Sequence, residues 1–283
     1  MEMEYPHSGL KIKSLLTEEE KWLFDLNGFL VKKNAVDKQK IDDIVSISLD
    51  WLDNPEKVSK PVTVRELDHN GGQIVWPQYG NRLYEELVQT HDIMRVVLGL
   101  MFNRPRLFHY DLILSRKKKN YKKEPILMHK DHSGFEFPSG MKNPHNDYQV
   151  SDGQLYCSFL NVAFSLQDDP EGTGFGCVPG SHKSNIKCPD TITAESEHSN
   201  LRSFNMKAGD VIIFSSGLIH TSMPWNQDHP RMTVFARFQF RKYFNENPNN
   251  SLPVEKHKDH ISNIQYDLES MGTEEVLLAK KYL

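Results

Sequence analysis

Long apolar runs are missing from this chain. Nowhere do its 283 residues approach the roughly 20 consecutive apolar positions that a membrane-spanning helix needs. Cysteine is scarce as well: Cys157, Cys177 and Cys188 are odd in number and show no C-x-x-C spacing. They read as reduced thiols in a reducing compartment, not as a disulfide framework. A strong charge of either sign is also absent, since 34 Lys and Arg stand against 38 Asp and Glu for a formal charge of −4. That balance argues against a dedicated nucleic-acid binder. The opening residues "MEMEYPHSGLKIKS" contain neither an apolar h-region nor a small-residue cleavage motif, so no secretory signal is expected. The final "KKYL" ends in leucine but is not the S-K-L peroxisomal address. A cytoplasmic protein is the expectation.

What is there divides into three stretches. From about residue 15 to 104 the periodicity is helical. "LTEEEKWLFDLNGF" places Thr17 three residues before Glu20, a capping box, with Trp22, Leu23 and Leu26 supplying the apolar face and Gly28 the stop. A second helix is expected after Asp37, its stripe formed by Ile41, Ile44, Val45, Leu49 and Leu52 and its end by Asn54-Pro55. A third is expected from about Leu83 to Leu98, stopped by Gly99. From about 105 to 243 the pattern changes to short segments rich in β-branched and aromatic residues, such as "RLFHYDLIL", "QLYCSFLNVAFSLQ", "DVIIFSSGLIH" and "MTVFARFQF". Clusters such as "DDPEGTG" and "PWNQDHP" separate them. Helices first and about eight strands later suit a mainly β fold, an antiparallel double-sheet jelly roll with the N-terminal helices packed outside it. Residues 244–283 read as a polar surface extension with a short helix around "TEEVLLAKK". One domain over 1–283 is expected.

The chemistry is concentrated in the β-rich stretch. Two histidines and a carboxylate on one face of an iron leave coordination positions that a co-substrate and dioxygen can share. Ligands one residue apart point to opposite sides of an extended strand, so a His-x-Asp pair belongs where a strand ends. "ILMHKDHSGF" meets that condition with His129 and Asp131. His220, 91 residues after His129 and preceded by an apolar strand and a glycine, is the candidate third ligand. Eleven residues further on stands Arg231, placed to clamp the distal carboxylate of a dicarboxylate ligand through a bidentate pair. Ser222 adds a hydroxyl donor two residues past His220.

Taken together, "HKD", "GTGFGCVPGSHKSN" and "AGDVIIFSSGLIHTS" with an arginine eleven residues on resemble the phytanoyl-CoA dioxygenase family of iron(II)/2-oxoglutarate-dependent oxygenases. "LTEEEKWLFDLNGFLVKKNAV" is similar to that family's opening helix and strand, and in weaker form the likeness covers roughly residues 15–243. The resemblance implies a double-stranded β-helix, cupin-like, with iron held by His129, Asp131 and His220. It implies 2-oxoglutarate held by Arg231 and Ser222, with Tyr110 and Asn161 as further co-substrate contacts. The implied reaction is decarboxylation of 2-oxoglutarate to succinate and CO₂ with O₂, coupled to hydroxylation of an unactivated C–H bond in a small organic substrate. Halogenating relatives carry a small residue in place of the carboxylate; Asp131 is present, which favours hydroxylation.

Several residues admit two readings. His109 and Asp111 repeat the His-x-Asp spelling but lie mid-strand, sharing a face opposite Tyr110, and are read as strand residues. Arg237 shares the face of Arg231 by period-two counting and is read as structural, as is His182 in "PGSHK", a turn-fixing residue. His132 either reaches the substrate or is solvated. Phe135, Glu136 and Phe137 are candidates for the pocket mouth. The basic run "SRKKKNYKKE" at 115–124 is either a solvated hairpin loop or a feature that steers an anionic substrate. Two rivals to the enzyme remain open: a catalytically silent jelly-roll binding protein, and a cupin-like metal protein that does not use 2-oxoglutarate.

Overall fold

The computed structural model describes residues 2–4, 11–13, 15–68, 71–117, 126–131, 148–151, 153–184, 186–241, 254–271 and 276–282. In chain order the elements are β1 (Glu2–Glu4), β2 (Lys11–Lys13), α1 (Glu18–Asn27), β3 (Phe29–Lys32), α2 (Lys38–Asp53), β4 (Thr63–Leu67), β5 (Gly71–Val75), α3 (Arg82–Val88), α4 (His91–Leu100) and β6 (Pro105–Ser115). There follow β7 (Tyr148–Ser151), β8 (Gln154–Cys157), β9 (Phe159–Ser165), β10 (Gly174–Cys177), β11 (Arg202–Ser203), β12 (Val211–Ser215), β13 (His220–Met223), β14 (Arg231–Phe240) and α5 (Asn263–Glu269). Among the described residues, no helix is long and apolar enough to cross a membrane.

Seven strands form the larger antiparallel sheet, in the order β3-β12-β9-β14-β6-β5-β4. A smaller sheet has the order β11-β10-β13, and the His129 segment joins it through a bridge to His220. The larger sheet is covered on both faces, which explains why its central strands read as continuous apolar runs instead of alternating ones. Val211, Ile213, Val162, Phe164, Val234 and Leu112 face a core shared with the helices. Ile212, Phe214 and Ala163, one residue out of step, face Phe175 and Cys177 of the smaller sheet. The double-stranded β-helix read from the sequence is therefore present, with its helices on the outer face. One register shift interrupts the β6–β14 ladder: His109 pairs with Arg237 but Leu107 pairs with Phe238, so Phe108 is a bulged residue beside the inner face.

The N-terminal helix begins as its sequence predicts. Thr17 Oγ1 accepts the Glu20 amide at 3.1 Å and Glu20 Oε2 accepts the Thr17 amide at 2.9 Å. Gly28 ends the helix in the left-handed region at φ 81°. The expected apolar face is only partly right, however: of its three residues Leu23 packs against the core. Trp22 is 64% exposed and Leu26 50%, while Phe24, Glu20 and Lys21 are buried. Arg95 Nη2 and Lys32 Nζ each reach Glu20 Oε1 at 2.6 Å, and this pull on a charged residue turns the helix away from its simple amphipathic orientation. The single helix expected over 83–98 is two, α3 and α4, broken where the Thr90 hydroxyl donates to the Leu87 carbonyl. Gly99 lies inside α4 with Leu16 against it, so it admits a neighbour instead of stopping the helix.

The C-terminal stretch also differs from expectation. Among the described residues, the stretch expected to be helical around "TEEVLLAKK" contains a 3₁₀ turn at Leu277–Lys281, and the α-helix of the extension is α5, further upstream. Its Gln265, Leu268 and Glu269 are buried, so this part of the extension is core. Tyr79 and Gln78 donate to the Glu269 carboxylate at 2.6 and 2.8 Å, and Arg106 Nε donates to its carbonyl at 2.9 Å. Polar residues docked by polar partners leave no hydrophobic periodicity to read.

Candidate metal centre

His129 and His220 exchange both backbone hydrogen bonds, each at 2.9 Å. That bridge brings residues 91 positions apart into one ring pair with centroids 4.4 Å apart. Asp131 lies beside them, its Oδ1 4.0 Å from His129 Nε2 and its Oδ2 3.7 Å from His220 Nε2. All three donor atoms fall within 4.8 Å of one another, a set that can hold one metal ion. Two of the three ligands are oriented from behind. His220 Nδ1 lies 2.8 Å from the Leu218 carbonyl; a carbonyl only accepts, so Nδ1 carries the proton and Nε2 keeps its lone pair for a metal. Phe175 stacks on the ring at 5.8 Å and Phe214 meets it edge-on at 4.9 Å. Burial among these rings pushes the His220 pKa down, the direction that favours a neutral, ligating imidazole. Asn161 Nδ2 donates to Asp131 Oδ2 at 2.7 Å.

The three donors border a cavity of about 200 Å³ between the two sheets. Arg231, Thr233, Phe235 and Arg237 of β14 all line it, as residues two apart on one strand must if one of them does. Arg231 is 7% exposed; its Nε lies 3.2 Å from Asp169 Oδ2 and its Nη1 donates to Ser222 Oγ at 3.2 Å. Burial raises the Asp169 pKa against the pull of Arg231. A side chain at Gly174, whose φ is +68°, would put its Cβ 2.7 Å from Asp169 Oδ2, which accounts for the second glycine of "GTG". Thr233 Oγ1 is buried and, among the described residues, has no hydrogen-bond partner; the same is true of Asn161 Oδ1 and Asp169 Oδ1. A buried polar atom without a partner is rare, and one lining a cavity beside an arginine suits an oxygen-rich ligand.

At the far end of β14, Arg237 Nη1 lies 2.5 Å from Asp111 Oδ1, and Gln73 Nε2 donates to Asp111 Oδ2 at 2.7 Å. Burial works to raise the Asp111 pKa, but the Arg237 charge and the His109 and Gln73 hydrogen bonds outweigh it and hold the group down to about 2. His109 and Asp111 therefore stay strand residues, but on the cavity side. Arg237, read as structural, lines the cavity too.

Tyr110 requires a correction. It lies on the opposite face of β6, fully buried, with its hydroxyl donating to the Tyr84 carbonyl at 2.9 Å; strand alternation carries it away from the cavity that Asp111 faces. His182 packs 4.5 Å from Tyr148 and 6.4 Å from Phe24, and burial draws its pKa down to about 4. His132, Phe135, Glu136 and Phe137 lie outside the described residues, as does most of the basic run. Of that run Ser115 lines the cavity and Lys117 Nζ is 3.4 Å from Asp228. Thr233 and Phe175 were missed by sequence reasoning. Period-two counting from Arg231 reaches the first, whereas the second depends on the register Phe175↔Ser222 between β10 and β13.

Two facing antiparallel sheets with a His-x-Asp…His set at one end of the cavity and a buried arginine at the other define a jelly-roll metalloprotein. The sequence profile of the family described as Phytanoyl-CoA dioxygenase (PhyH) matches residues 24–233. The chain belongs to this family and is an iron- and 2-oxoglutarate-dependent oxygenase by class. Similar solved structures include HygX from Streptomyces hygroscopicus with nickel and 2-oxoglutarate bound, at 18% identity and TM-score 0.65, covering 82% of this chain and 89% of that one. EctD from S. alaskensis with bound Fe aligns at 16% identity and TM-score 0.63, covering 86% and 83%. The α-ketoglutarate-dependent epimerase SnoN from nogalamycin biosynthesis aligns at 18% and 0.57, covering 80% and 81%. At these identities the likeness is one of fold. No curated protein matches the sequence.

Proposed function

We propose that His129, Asp131 and His220 hold iron(II), that Arg231, Ser222 and Thr233 hold the distal carboxylate of 2-oxoglutarate, and that the enzyme hydroxylates a C–H bond of a small organic substrate. The observation that carries this reading is the pairing of a three-donor cluster with a buried arginine and an unpartnered buried hydroxyl in one cavity. When bound, the iron and 2-oxoglutarate supply the oxidising chemistry with O₂, at the cost of 2-oxoglutarate decarboxylation to succinate. The chain contributes orientation and exclusion of water. Asn161 fixes the Asp131 carboxylate and Leu218 fixes the His220 tautomer. Arg231 meets a carboxylate with directed donors, and Phe175, Phe214 and Phe235 keep the walls apolar. Asp131 occupies the place that a halogenating enzyme leaves vacant, which favours hydroxylation. Folds of this kind also serve an epimerase, so the outcome needs a direct test. The protein is incubated with iron(II), 2-oxoglutarate, ¹⁸O₂ and a panel of small organic compounds, and products are read by mass. Hydroxylation predicts one ¹⁸O atom in the product for each succinate formed; substrate-stimulated succinate with an unlabelled, isomerised or desaturated product overturns it.

A further inference from the structure

Arg237 lies six residue steps along β14 from Arg231, a Cα span of about 20 Å, so the two arginines serve opposite ends of the cavity. Asn161, the direct cross-strand neighbour of Arg237, is the residue that holds Asp131. Arg237 therefore stands at the metal end. Its guanidinium is fixed from several sides. Asp111 takes Nη1, and that carboxylate is itself held by Gln73; the Phe235 ring lies 5.2 Å beneath the guanidinium carbon. Asp111 is 1% exposed, yet 24% of the Arg237 side chain is exposed and lines the cavity. Among the described residues Asp111 is its one hydrogen-bonded partner. The pair buries the anion and leaves part of the planar cationic fork exposed at the cavity wall.

We infer that Arg237, positioned by Asp111, is a second carboxylate-binding residue of the site, acting on the metal side opposite the Arg231 clamp. The inference rests on the proposed placement of metal and 2-oxoglutarate. A planar guanidinium with free N–H groups matches a carboxylate through two parallel, charge-assisted bonds. Such a group can come from the metal-proximal end of 2-oxoglutarate or from a primary substrate that carries a carboxylate.

Calorimetric titration of the nickel(II)-loaded protein separates these sources. One arm titrates 2-oxoglutarate. The other titrates acetate, hexanoate and phenylacetate, and their primary amides, into protein already saturated with nickel and 2-oxoglutarate. Because Arg237→Met alone would strand the buried Asp111 charge, the comparison uses the charge-balanced pair Asp111→Asn/Arg237→Met and, separately, Arg237→Lys. Loss of these bonds predicts carboxylate binding weaker by about 10- to 100-fold in one arm, a smaller loss for Arg237→Lys, and unchanged amide binding. A loss in the first arm assigns Arg237 to the co-substrate; a loss in the second assigns it to a carboxylate substrate. Wild-type nickel binding with both arms unchanged within about twofold, including the case where no monocarboxylate binds, overturns the inference alone. Failure of the wild type to bind nickel overturns the metal assignment and this inference with it.

Discussion

Glu269 makes protein stability depend on pH in a way that can be worked out from its surroundings. The carboxylate is 2% exposed. Burial pushes its pKa up from the ordinary 4.5, and donors from Tyr79, Gln265 and Gln78 restrain the rise, leaving it at about 6. A carboxyl group with a raised pKa binds its proton more tightly in the folded state. Its contribution is therefore fully present below pH 4.5 and lost as pH rises through about 6. At about 1.4 kcal/mol per pH unit, that gap amounts to about 2 kcal/mol. Glu269→Gln keeps the volume and removes the titration; any cost of rearranging the Tyr79 hydroxyl is the same at every pH. Urea unfolding at pH 4 and pH 8 should show the wild type losing about 2 kcal/mol relative to Glu269→Gln across the interval. Parallel stability profiles for the two proteins would refute the reasoning.

Three further outcomes follow from single contacts. Thr17→Ala removes the capping box of α1 and should cost about 1 kcal/mol in thermal or urea unfolding; no change would mean that the Glu20–Arg95–Lys32 cluster alone holds the helix start. Asn161→Ala frees the Asp131 carboxylate and should weaken nickel(II) affinity by about 10- to 100-fold, measured by calorimetry. Arg231→Gln should weaken 2-oxoglutarate binding by about 10- to 100-fold while nickel affinity stays within about twofold, and an equal loss of both would place Arg231 in a structural role.

The candidate site was more legible than the architecture around it, for a physical reason. A candidate metal-ligand set and the proposed carboxylate clamp both call for particular side chains at ends of strands, and the spacing His129, Asp131, His220, Arg231 is where the sequence carries that proposal. Tyr110 went wrong because it came from family likeness without register; one step along β6 separates the cavity face of Asp111 from the helix-facing core. Arg237 was visible to period-two counting, but nothing local distinguishes a cavity-lining arginine from a structural one. That distinction depends on Asp111 from another strand. The face of α1 was partly misread because Arg95 and Lys32, remote in sequence, turn Glu20 inward. Likewise α5 is docked by Tyr79, Gln78 and Arg106, partners that a local pattern does not contain.

The central claim is that one metal ion binds through His129, Asp131 and His220. Anaerobic titration of iron(II), followed by 2-oxoglutarate, into the wild type and His220→Ala tests it most directly. The account predicts one iron per chain in the wild type, a visible charge-transfer band once 2-oxoglutarate is added, and loss of both in His220→Ala with the fold intact by circular dichroism. Equal iron binding and an equal band in the two proteins would contradict it.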